Sequence, residues 1–393
     1  MNKEVYVLSA ARSAIGAFGG ALSGMEPADL AAIVMREAIA RAGVEPAAVG
    51  NAVVGTCIPT NAQYAYVSRL ASVNAGMPMS SVAMQLNRLC ASGLQAVLTA
   101  AQGIALGDFE YGIGGGVEVM SRGGYMLPAL RSGARMGDSA AVDMMVAVLT
   151  DPFGVGHMGV TAENLAEKWG ITRAQQDAFA LESQRRAALA QAEGRFATQI
   201  VPVTRVTRQG TVSFDTDEHP KPGATLESLA RMQPAFLPGG TVTAGNASGI
   251  NDGAAFLVLA GDGAAARHAQ APLARLAGYA LAGVPNMVMG EGPIPAVRQA
   301  LAKAGLTLRQ MDVIESNEAF AAQALAVQRG LELDPAKTNP NGGAIALGHP
   351  VGCSGAFIAT KAIHELQRIG GRYALVTMCV GGGQGIAAIF ERC

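Results

Sequence analysis

Cys90 is the first residue of this chain whose position favours chemistry. It lies in residues 87–93, directly before an apolar stretch that should form a helix over residues 92–106. A thiol at a helix N-terminus lies near the positive end of the helix dipole and near unpaired backbone N–H groups, which stabilise the reactive thiolate. The alternative is a buried cysteine that packs as a small hydrophobic residue. Position alone slightly favours packing, and the helix start together with the small flanking residues, which leave room for a bulky substrate, brings the two interpretations level.

Two further reactive side chains lie in glycine-rich turns late in the chain. His349 lies in a Gly-His-Pro turn, and a histidine held rigidly in this way suits a general base. It could instead cap a loop, although the apolar residues 344–347 beside it are unusual for a solvent loop. Cys379 ends an apolar strand and precedes the glycines 381–383, where α/β proteins bind ligands and where glycine N–H groups can approach a substrate. A core cysteine at a strand end is the alternative.

Asn317 opens the sequence Asn-Glu-Ala-Phe, directly after a strand predicted at residues 313–316. It could cap the following helix, since asparagine is a common N-cap residue. It could also hold a water molecule that stabilises an oxyanion. The spacing does not separate the two roles.

An internal repeat positions these residues. Residues 38–44 resemble residues 300–306, and the Ser-Gly pair that begins at Ser92 recurs at Ser354, in both cases 262 residues later. A repeat of this length predicts a structural unit that occurs twice. If the halves are related by pseudo-symmetry, the helices that begin at Ser92 and Ser354 face each other. The histidine turn would then lie beside Cys90.

Each half reads as strands that alternate with helices of ten residues or more, which predicts an α/β fold with a mostly parallel sheet covered by helices. Two such halves could pack against a shared layer of helices. We expect an N-terminal half over residues 1–120, an inserted loop domain over residues 121–250 and a C-terminal half over residues 251–393. Loops inserted on a rigid scaffold commonly carry binding functions.

Composition excludes several classes of protein. The 393 residues carry a formal net charge of −1 and no basic block, so no nucleic-acid surface is predicted. No apolar run is expected to reach the roughly 18–20 residues that span a bilayer. The five cysteines lack CxxC spacing, which favours free thiols in a reducing cytoplasm. The histidines lack metal-ligand spacing, and neither a dinucleotide fingerprint nor a P-loop is present.

Taken together, the motifs resemble those of the thiolase family along the whole chain. Residues 11–20 are similar to the family's N-terminal signature, with Ser13 where threonine is commoner. The Asn-Glu-Ala-Phe segment and the late cysteine distinguish thiolases from the related ketosynthases. The other segments that resemble family blocks are residues 87–93, 115–121, 157–164, 243–249, 317–320, 348–350 and 379–383.

The resemblance implies a thiolase-like fold of two pseudo-repeated halves in an αβαβα arrangement, and a mechanism in two stages. Cys90 attacks an acyl-CoA thioester, and His349 takes the thiol proton. His349 and a water held by Asn317 stabilise the thioester oxyanion. Cys379 then removes a proton from the α-carbon of a second acyl-CoA, which attacks the acyl group. The backbone N–H groups of Cys90 and Gly381 form a second oxyanion hole.

The resemblance also implies the partners. Acyl-CoA and CoA bind as substrates, with no separate cofactor and no metal, and the chain acts neither on nucleic acid nor at a membrane. The loop over residues 121–145 resembles the one through which thiolase dimers pair into homotetramers, and Lys221 stands where close relatives have arginine. The implied CoA and acyl contacts are Met158, Lys221, Ser228, Phe236, Ser248, Met289 and Phe320.

The favoured activity is therefore condensation of short acyl-CoA molecules, or the reverse cleavage of a 3-oxoacyl-CoA. A degradative thiolase for longer chains is the main alternative. A decarboxylating ketosynthase is disfavoured by Cys379. A non-catalytic CoA-binding protein is disfavoured because all four candidate catalytic side chains are intact.

Overall fold

The computed structural model describes residues 4–207 and 210–393. The first three residues of the predicted N-terminal half lie outside the described residues. The helix predicted over residues 92–106 and the strand predicted over residues 313–316 have the expected bounds, and a helix begins at Ser354 as predicted. The strands are β1 (Val5–Ser13), β2 (Gly16–Ala17), β3 (Val49–Gly55), β4 (Val82–Leu86), β5 (Tyr111–Val119), β6 (Tyr125–Met126), β7 (Val142–Asp143), β8 (Thr150–Asp151), β9 (Gly156–His157), β10 (Ile200–Val201), β11 (Val203–Thr207), β12 (Gly210–Phe214), β13 (Asn251–Gly261), β14 (Ala274–Gly283), β15 (Val313–Ser316), β16 (Tyr373–Val380) and β17 (Gln384–Arg392). The α-helices are α1 (Pro27–Ala42), α2 (Val67–Asn74), α3 (Ser92–Leu106), α4 (Met144–Val148), α5 (Met158–Trp169), α6 (Arg173–Ala192), α7 (Leu226–Ala230), α8 (Asp262–Ala266), α9 (Pro293–Ala304), α10 (Ala321–Leu331), α11 (Ala344–Leu347) and α12 (Ser354–Ile369).

The large sheet consists of two half-sheets joined at one narrow seam. Its strand order is β15-β16-β17-β14-β1-β13-β5-β3-β4, with β10 beside β1 and β2 beside β13. The seam is the antiparallel pairing of β1 with β14, which involves only Tyr6 with Arg275 and Val7 with Ala274. Strands β14–β17 lie on one side of this seam, and β1, β3, β4, β5 and β13 lie on the other.

The sheet is mixed, so the prediction of a mostly parallel sheet was wrong. Strands β13 and β17, which the sequence reading missed, return antiparallel to their neighbours. The chain turns directly from β16 into β17 through glycines, and a tight turn of this kind can only produce an antiparallel pair. Strand β13 lies between β1 and β5, among strands of the N-terminal half, although the predicted division places it in the C-terminal half.

Alternation along single strands separates the three largest hydrophobic clusters of the described residues, which lie between five layers. In β13, Leu257 and Leu259 face the central core, whereas Phe256 and Val258 face an outer core with α1 and α2. The central core contains helices α3 and α12, and a third core on the far side contains α9. Strands buried on both faces read as continuous apolar runs, which hides their period of two. The αβαβα arrangement expected from the resemblance is confirmed.

Glycine permits the two central helices to meet at their first turns. A Cβ on Gly93 would lie 2.8 Å from the Ala356 nitrogen, and a Cβ on Gly355 would lie 2.4 Å from the Leu94 nitrogen. Any side chain at these positions would push the helices apart. The repeated Ser-Gly pair therefore marks the contact between the two halves.

The inserted region is anchored to the core by a buried ion pair. Arg12 is fully buried and binds both carboxylate oxygens of Asp217, at 2.6 and 2.9 Å. Its guanidinium lies between the rings of Phe196 and Phe357. Buried charges need such a partner. The ion pair therefore holds Asp217, a residue of the insertion, against strand β1.

One helical segment, Leu89–Leu106, is long and apolar enough to cross a membrane. The expectation that no run reaches this length was therefore wrong. In the fold this segment includes α3, which packs against α12 and against β3, β5 and β13. Its apolar surface is thus the surface of a core helix.

Candidate active site

Most of the predicted site residues meet at one cavity of about 520 Å³ between the halves and the inserted region. Its wall also includes Leu89, Val148 and Ile250, so it is largely apolar. Apolar walls with a few polar groups are typical of small-molecule sites. The predicted residues that line it are Cys90, Met158, Lys221, Phe236, Ser248, Met289, Phe320, His349 and Gly381.

Cys90 lies in a single 3₁₀ turn, Leu89–Ala91, immediately before α3. Leu89 has a φ of +48°, so the backbone reverses there and the half-buried thiol lies on the cavity wall. Burial raises the pKa of Cys90 to about 11, although the backbone N–H groups of Gly381 and of Cys90 itself lower it. The expected thiolate is therefore not the resting form. Cys90 rests as a neutral thiol that needs a base.

His349, the predicted base, lines the same cavity as Cys90. Its Nδ1 lies 2.5 Å from Ser354 Oγ, and the Ser354 hydroxyl donates its only proton to Pro350 O at 2.7 Å. With the hydroxyl directed in this way, Nδ1 carries the ring proton and donates it to the Ser354 oxygen, which leaves Nε2 as a bare acceptor. The Nε2 atom is buried without a hydrogen-bond partner, and His349 lines the cavity. Burial lowers the pKa of His349 to about 4, so the ring is neutral at physiological pH.

Cys379 is fully buried near the end of β16. It packs with Met158, Met289 and Phe320, which line the cavity, although Cys379 is itself one layer behind the wall. Burial, together with the neighbouring Cys90, raises the pKa of Cys379 well above its usual range. Both thiols are therefore protonated before a reaction begins.

Asn317 follows β15 and is almost completely buried. Its backbone N–H donates to Thr377 O at 3.0 Å. Both polar atoms of its side chain lack a hydrogen-bond partner. Buried amides are normally satisfied, so this side chain is available to bind a water molecule; it does not cap a helix, and Asn317 is not among the residues that line the cavity.

The glycine turn after Cys379 requires its glycines. Gly382 and Gly383 have φ values of +78° and +90°. A Cβ on Gly383 would lie 2.2 Å from Val284 O, and one on Gly381 would lie 3.2 Å from Leu89 Cδ1. The turn thereby brings the Gly381 N–H close to the Cys90 sulfur.

An aromatic wall lines the side of the cavity formed by the insertion. The His157 and Phe236 rings stack with centroids 4.7 Å apart, and Phe236 meets Phe320 edge to face at 5.8 Å. Gly159 allows this packing, because a Cβ there would lie 2.1 Å from the Phe236 ring. The exposed Lys221 also lines the cavity.

Ser228 is the one predicted contact that the structure places away from the cavity wall. Its side chain belongs to the capping box of α7, where it accepts from Thr225 N at 3.0 Å. Conversely, sequence reasoning named neither His157 nor His219 as a site residue, although both line the cavity. Three of the chain's five histidines meet at this cavity. The scarcity of histidine is the signal that could have identified them.

Among residues 4–207 and 210–393, no group of three or more His, Cys, Asp or Glu side chains could hold a metal ion. The chemistry that can be derived from the site is therefore that of its thiols, imidazole and amides. The absence of a bound metal stays a prediction.

A thiol that must pass its proton to a neutral imidazole before it can attack is suited to acyl transfer through a covalent thioester. The duplicated fold and this pairing define a thiol-dependent acyltransferase. Two family models identify it further: "Thiolase, N-terminal domain" matches residues 5–262 and "Thiolase, C-terminal domain" matches residues 270–392. The chain belongs to the thiolase family.

Known proteins are similar over the full length. Beta-ketothiolase BktB of Cupriavidus necator is 56% identical over 393 residues, which cover 100% of both chains. The crystal structure of Bacillus anthracis acetyl-CoA acetyltransferase has a TM-score of 0.98 at 45% identity, covering 100% of this chain and 99% of that one. The crystal structure of human mitochondrial 3-ketoacyl-CoA thiolase in complex with CoA has a TM-score of 0.96 at 41% identity, with coverages of 100% and 98%.

Proposed function

We propose that this thiolase joins two short acyl-CoA molecules, or cleaves a short 3-oxoacyl-CoA with CoA, through an acyl group carried on Cys90. The observation that carries the proposal is the meeting of the Cys90 thiol and the bare Nε2 of His349 at one apolar cavity. CoA enters as part of the substrate; the human relative solved in complex with CoA supports a CoA site.

The first stage follows from the protonation states. His349 Nε2 takes the Cys90 proton as the sulfur attacks the thioester carbonyl. The backbone N–H groups of Cys90 and Gly381, and a water held by Asn317, are the donors available to developing oxyanions. One such donor contributes about 3–4 kcal/mol to the stability of a transition state. When the carbonyl re-forms, CoA leaves as a thiolate.

The second stage needs Cys379 as a thiolate, although burial keeps it protonated at rest. The proton balance is satisfied if the departing CoA sulfur takes the Cys379 proton, which leaves a Cys379 thiolate and a charged His349. Cys379 then removes the α-proton of the second acyl-CoA, and the resulting carbanion attacks the acyl group on Cys90. The released Cys90 sulfur takes back the proton held by His349, so every group returns to its starting state.

Short substrates are proposed because full-length relatives are named acetyl-CoA acetyltransferase and beta-ketothiolase. The deciding experiment is steady-state cleavage of 3-oxoacyl-CoA substrates of increasing length. We expect the largest kcat/KM with acetoacetyl-CoA or its next homologues, and a decline for longer chains. A kcat/KM that rises steadily with length would favour the degradative long-chain alternative.

We further propose a homotetramer. Apolar side chains in the segment of residues 121–145 are exposed, among them Tyr125, Leu130 and Met136, and the edge strand β4 exposes Val82 and Met84. Exposed apolar patches and uncovered edge strands commonly mark interfaces. Static light scattering is expected to give four times the mass of the chain, and a monomer would contradict this. The proposed cytoplasmic location, supported by five free cysteines, is testable by cell fractionation.

A further inference from the structure

Glu118 is a buried carboxylate that none of the proposed chemical steps uses. It lies near the end of β5, and no Lys, Arg or His in the part of the chain that the structure describes forms an ion pair with it. Four donors converge on it instead. Oε1 accepts from Thr56 Oγ1 and Ile58 N, both at 3.1 Å, and Oε2 accepts from Cys57 N and Gly352 N, both at 2.9 Å.

These donors come from both halves of the molecule. Thr56, Cys57 and Ile58 follow β3 in the N-terminal half, whereas Gly352 belongs to the turn that carries His349. On the other side, the Cys57 thiol contacts Leu89 O at 3.3 Å, in the turn that carries Cys90. One carboxylate therefore connects the backbone near the thiol to the backbone near the base.

Close packing leaves the histidine turn no other position. A Cβ on Gly352 would lie 2.6 Å from Glu118 Oε2 and 2.7 Å from Thr56 Cα. A Cβ on Gly116 would lie 2.0 Å from Gly352 O. The glycines thus let the turn approach β5 closely enough for its N–H to reach the carboxylate.

We propose that Glu118 is a positioning residue that holds the Cys90 turn and the His349 turn in register across the two halves, so that proton transfer between them is fast. The proposal rests on the roles assigned to Cys90 and His349 above. Glu118 acts through the backbone of both turns and takes no part in the proton transfer itself.

Only an ionised carboxylate can satisfy this set of donors. Each oxygen accepts two hydrogen bonds, so a glutamine would place its NH₂ group against two donors, whichever way the amide turned. Burial raises the pKa of Glu118 to about 7, while the N–H groups of Ile58, Cys57 and Gly352 lower it and favour the charged form. Glu118→Gln keeps the shape of the side chain and removes this acceptor capacity.

The test compares Glu118→Gln with Asp312→Asn. Asp312 accepts backbone N–H groups from Arg372 and Tyr373, at the end of β16 remote from Cys379. Both changes thus replace a carboxylate that binds loop amides, but only one of these loops carries the histidine. The rate of Cys90 acylation by acetyl-CoA is measured by rapid quenching and mass spectrometry, at temperatures where near-UV circular dichroism matches that of the wild type.

A misplacement of about 1 Å can cost about 100-fold in rate, so we expect Glu118→Gln to acylate about 100-fold more slowly. KM for acetyl-CoA should stay within about twofold, because the loss lies in the transition state. Asp312→Asn should acylate like the wild type. Glu118→Asp keeps the charge on a shorter arm and should give an intermediate rate.

A folded Glu118→Gln or Glu118→Asp variant with the wild-type acylation rate would overturn the proposal. So would a slowdown of Asp312→Asn equal to that of Glu118→Gln, since the effect would then reflect general loosening. His349→Ala separates this question from the assigned roles. If His349→Ala acylates normally, the assigned base is wrong, whatever Glu118→Gln does.

Discussion

Ser354→Ala tests whether one hydroxyl sets the tautomer of the proposed base. In the assigned tautomer of the wild type, the Ser354 hydroxyl accepts a hydrogen bond from His349 Nδ1–H and donates one to Pro350 O. The alanine variant removes the acceptor but keeps the helix start. The ring must then either leave a buried N–H unpaired or move its proton to Nε2, where it faces the cavity and blocks base catalysis.

The structure bounds the size of the effect. An unsatisfied buried donor costs about 1–3 kcal/mol, and each 1.36 kcal/mol is about tenfold in rate. If the ring keeps Nε2 without a proton, the unpaired Nδ1–H raises the barrier by this amount, and acylation slows by about 5- to 150-fold. Because only the transition state needs that tautomer, kcat and kcat/KM should fall together while the affinity for acetyl-CoA persists.

Thr360→Val is the matched control. Thr360 lies on the same helix and is fully buried, and its hydroxyl has no hydrogen-bond partner. Its removal should leave acylation unchanged and should not reduce stability. Ser354→Thr should recover part of the rate, since it restores a hydroxyl. Wild-type acylation by Ser354→Ala, measured as the burst of acyl-enzyme in rapid quenching, would refute the tautomer argument.

Four further outcomes are expected. Cys90→Ser should abolish acylation. Cys379→Ser should still be acylated, but it should condense about 10²- to 10⁴-fold more slowly, as followed by acetoacetyl-CoA formation. Normal condensation by Cys379→Ser would mean that the carbon-acid base is misassigned. Iodoacetamide inactivation should track the labelling of Cys90 and be slowed by acetyl-CoA, while labelling of the exposed Cys393 should not affect activity. In the wild type, kcat/KM for thioester cleavage should fall as the pH drops through about 7, because Glu118, whose pKa is raised to about 7, then loses its charge. In Glu118→Gln, which has no carboxylate at this position, kcat/KM should stay level across neutral pH and fall only as His349, whose pKa is lowered to about 4, gains a proton; a fall centred on 6.5 in that variant would contradict a buried neutral ring. Lys221→Ala should raise KM for CoA by about 2- to 5-fold with little change in kcat, since an exposed ion pair contributes at most about 1 kcal/mol, and an unchanged KM would remove Lys221 from the CoA contacts.

The sequence predicts the scaffold of this site well, because the repeat is visible in residue types. Ser92 and Ser354 begin helices at the predicted positions, and their glycines pack where the halves meet. The same argument placed His349 beside Cys90, and both line one cavity. The sequence does not predict strand β13, because a strand that is buried on both faces shows no alternation of apolar and polar residues.

Ionisation is harder to read from a sequence than position. The helix start beside Cys90 suggests a thiolate, yet burial reverses the direction of the pKa shift. Burial depends on residues far along the chain, such as Met120 and Ile250, which pack beside Cys90. Ser228 shows the same limit, because its hydroxyl is occupied within its own helix cap and does not line the cavity.

The helix start that recurs in the two halves has a different role in each half. Ser92 accepts from Arg88 N at 2.8 Å and donates to Leu89 O at 2.7 Å, so it fixes the turn that carries the thiol. Ser354, its counterpart in the repeat, donates to its own preceding turn in the same way, and its oxygen also holds the imidazole. A serine at the first position of each helix therefore sets one partner of the proposed proton transfer. Glu118 then links the backbones of the two turns, so the distance between thiol and base depends on contacts that neither half contains alone.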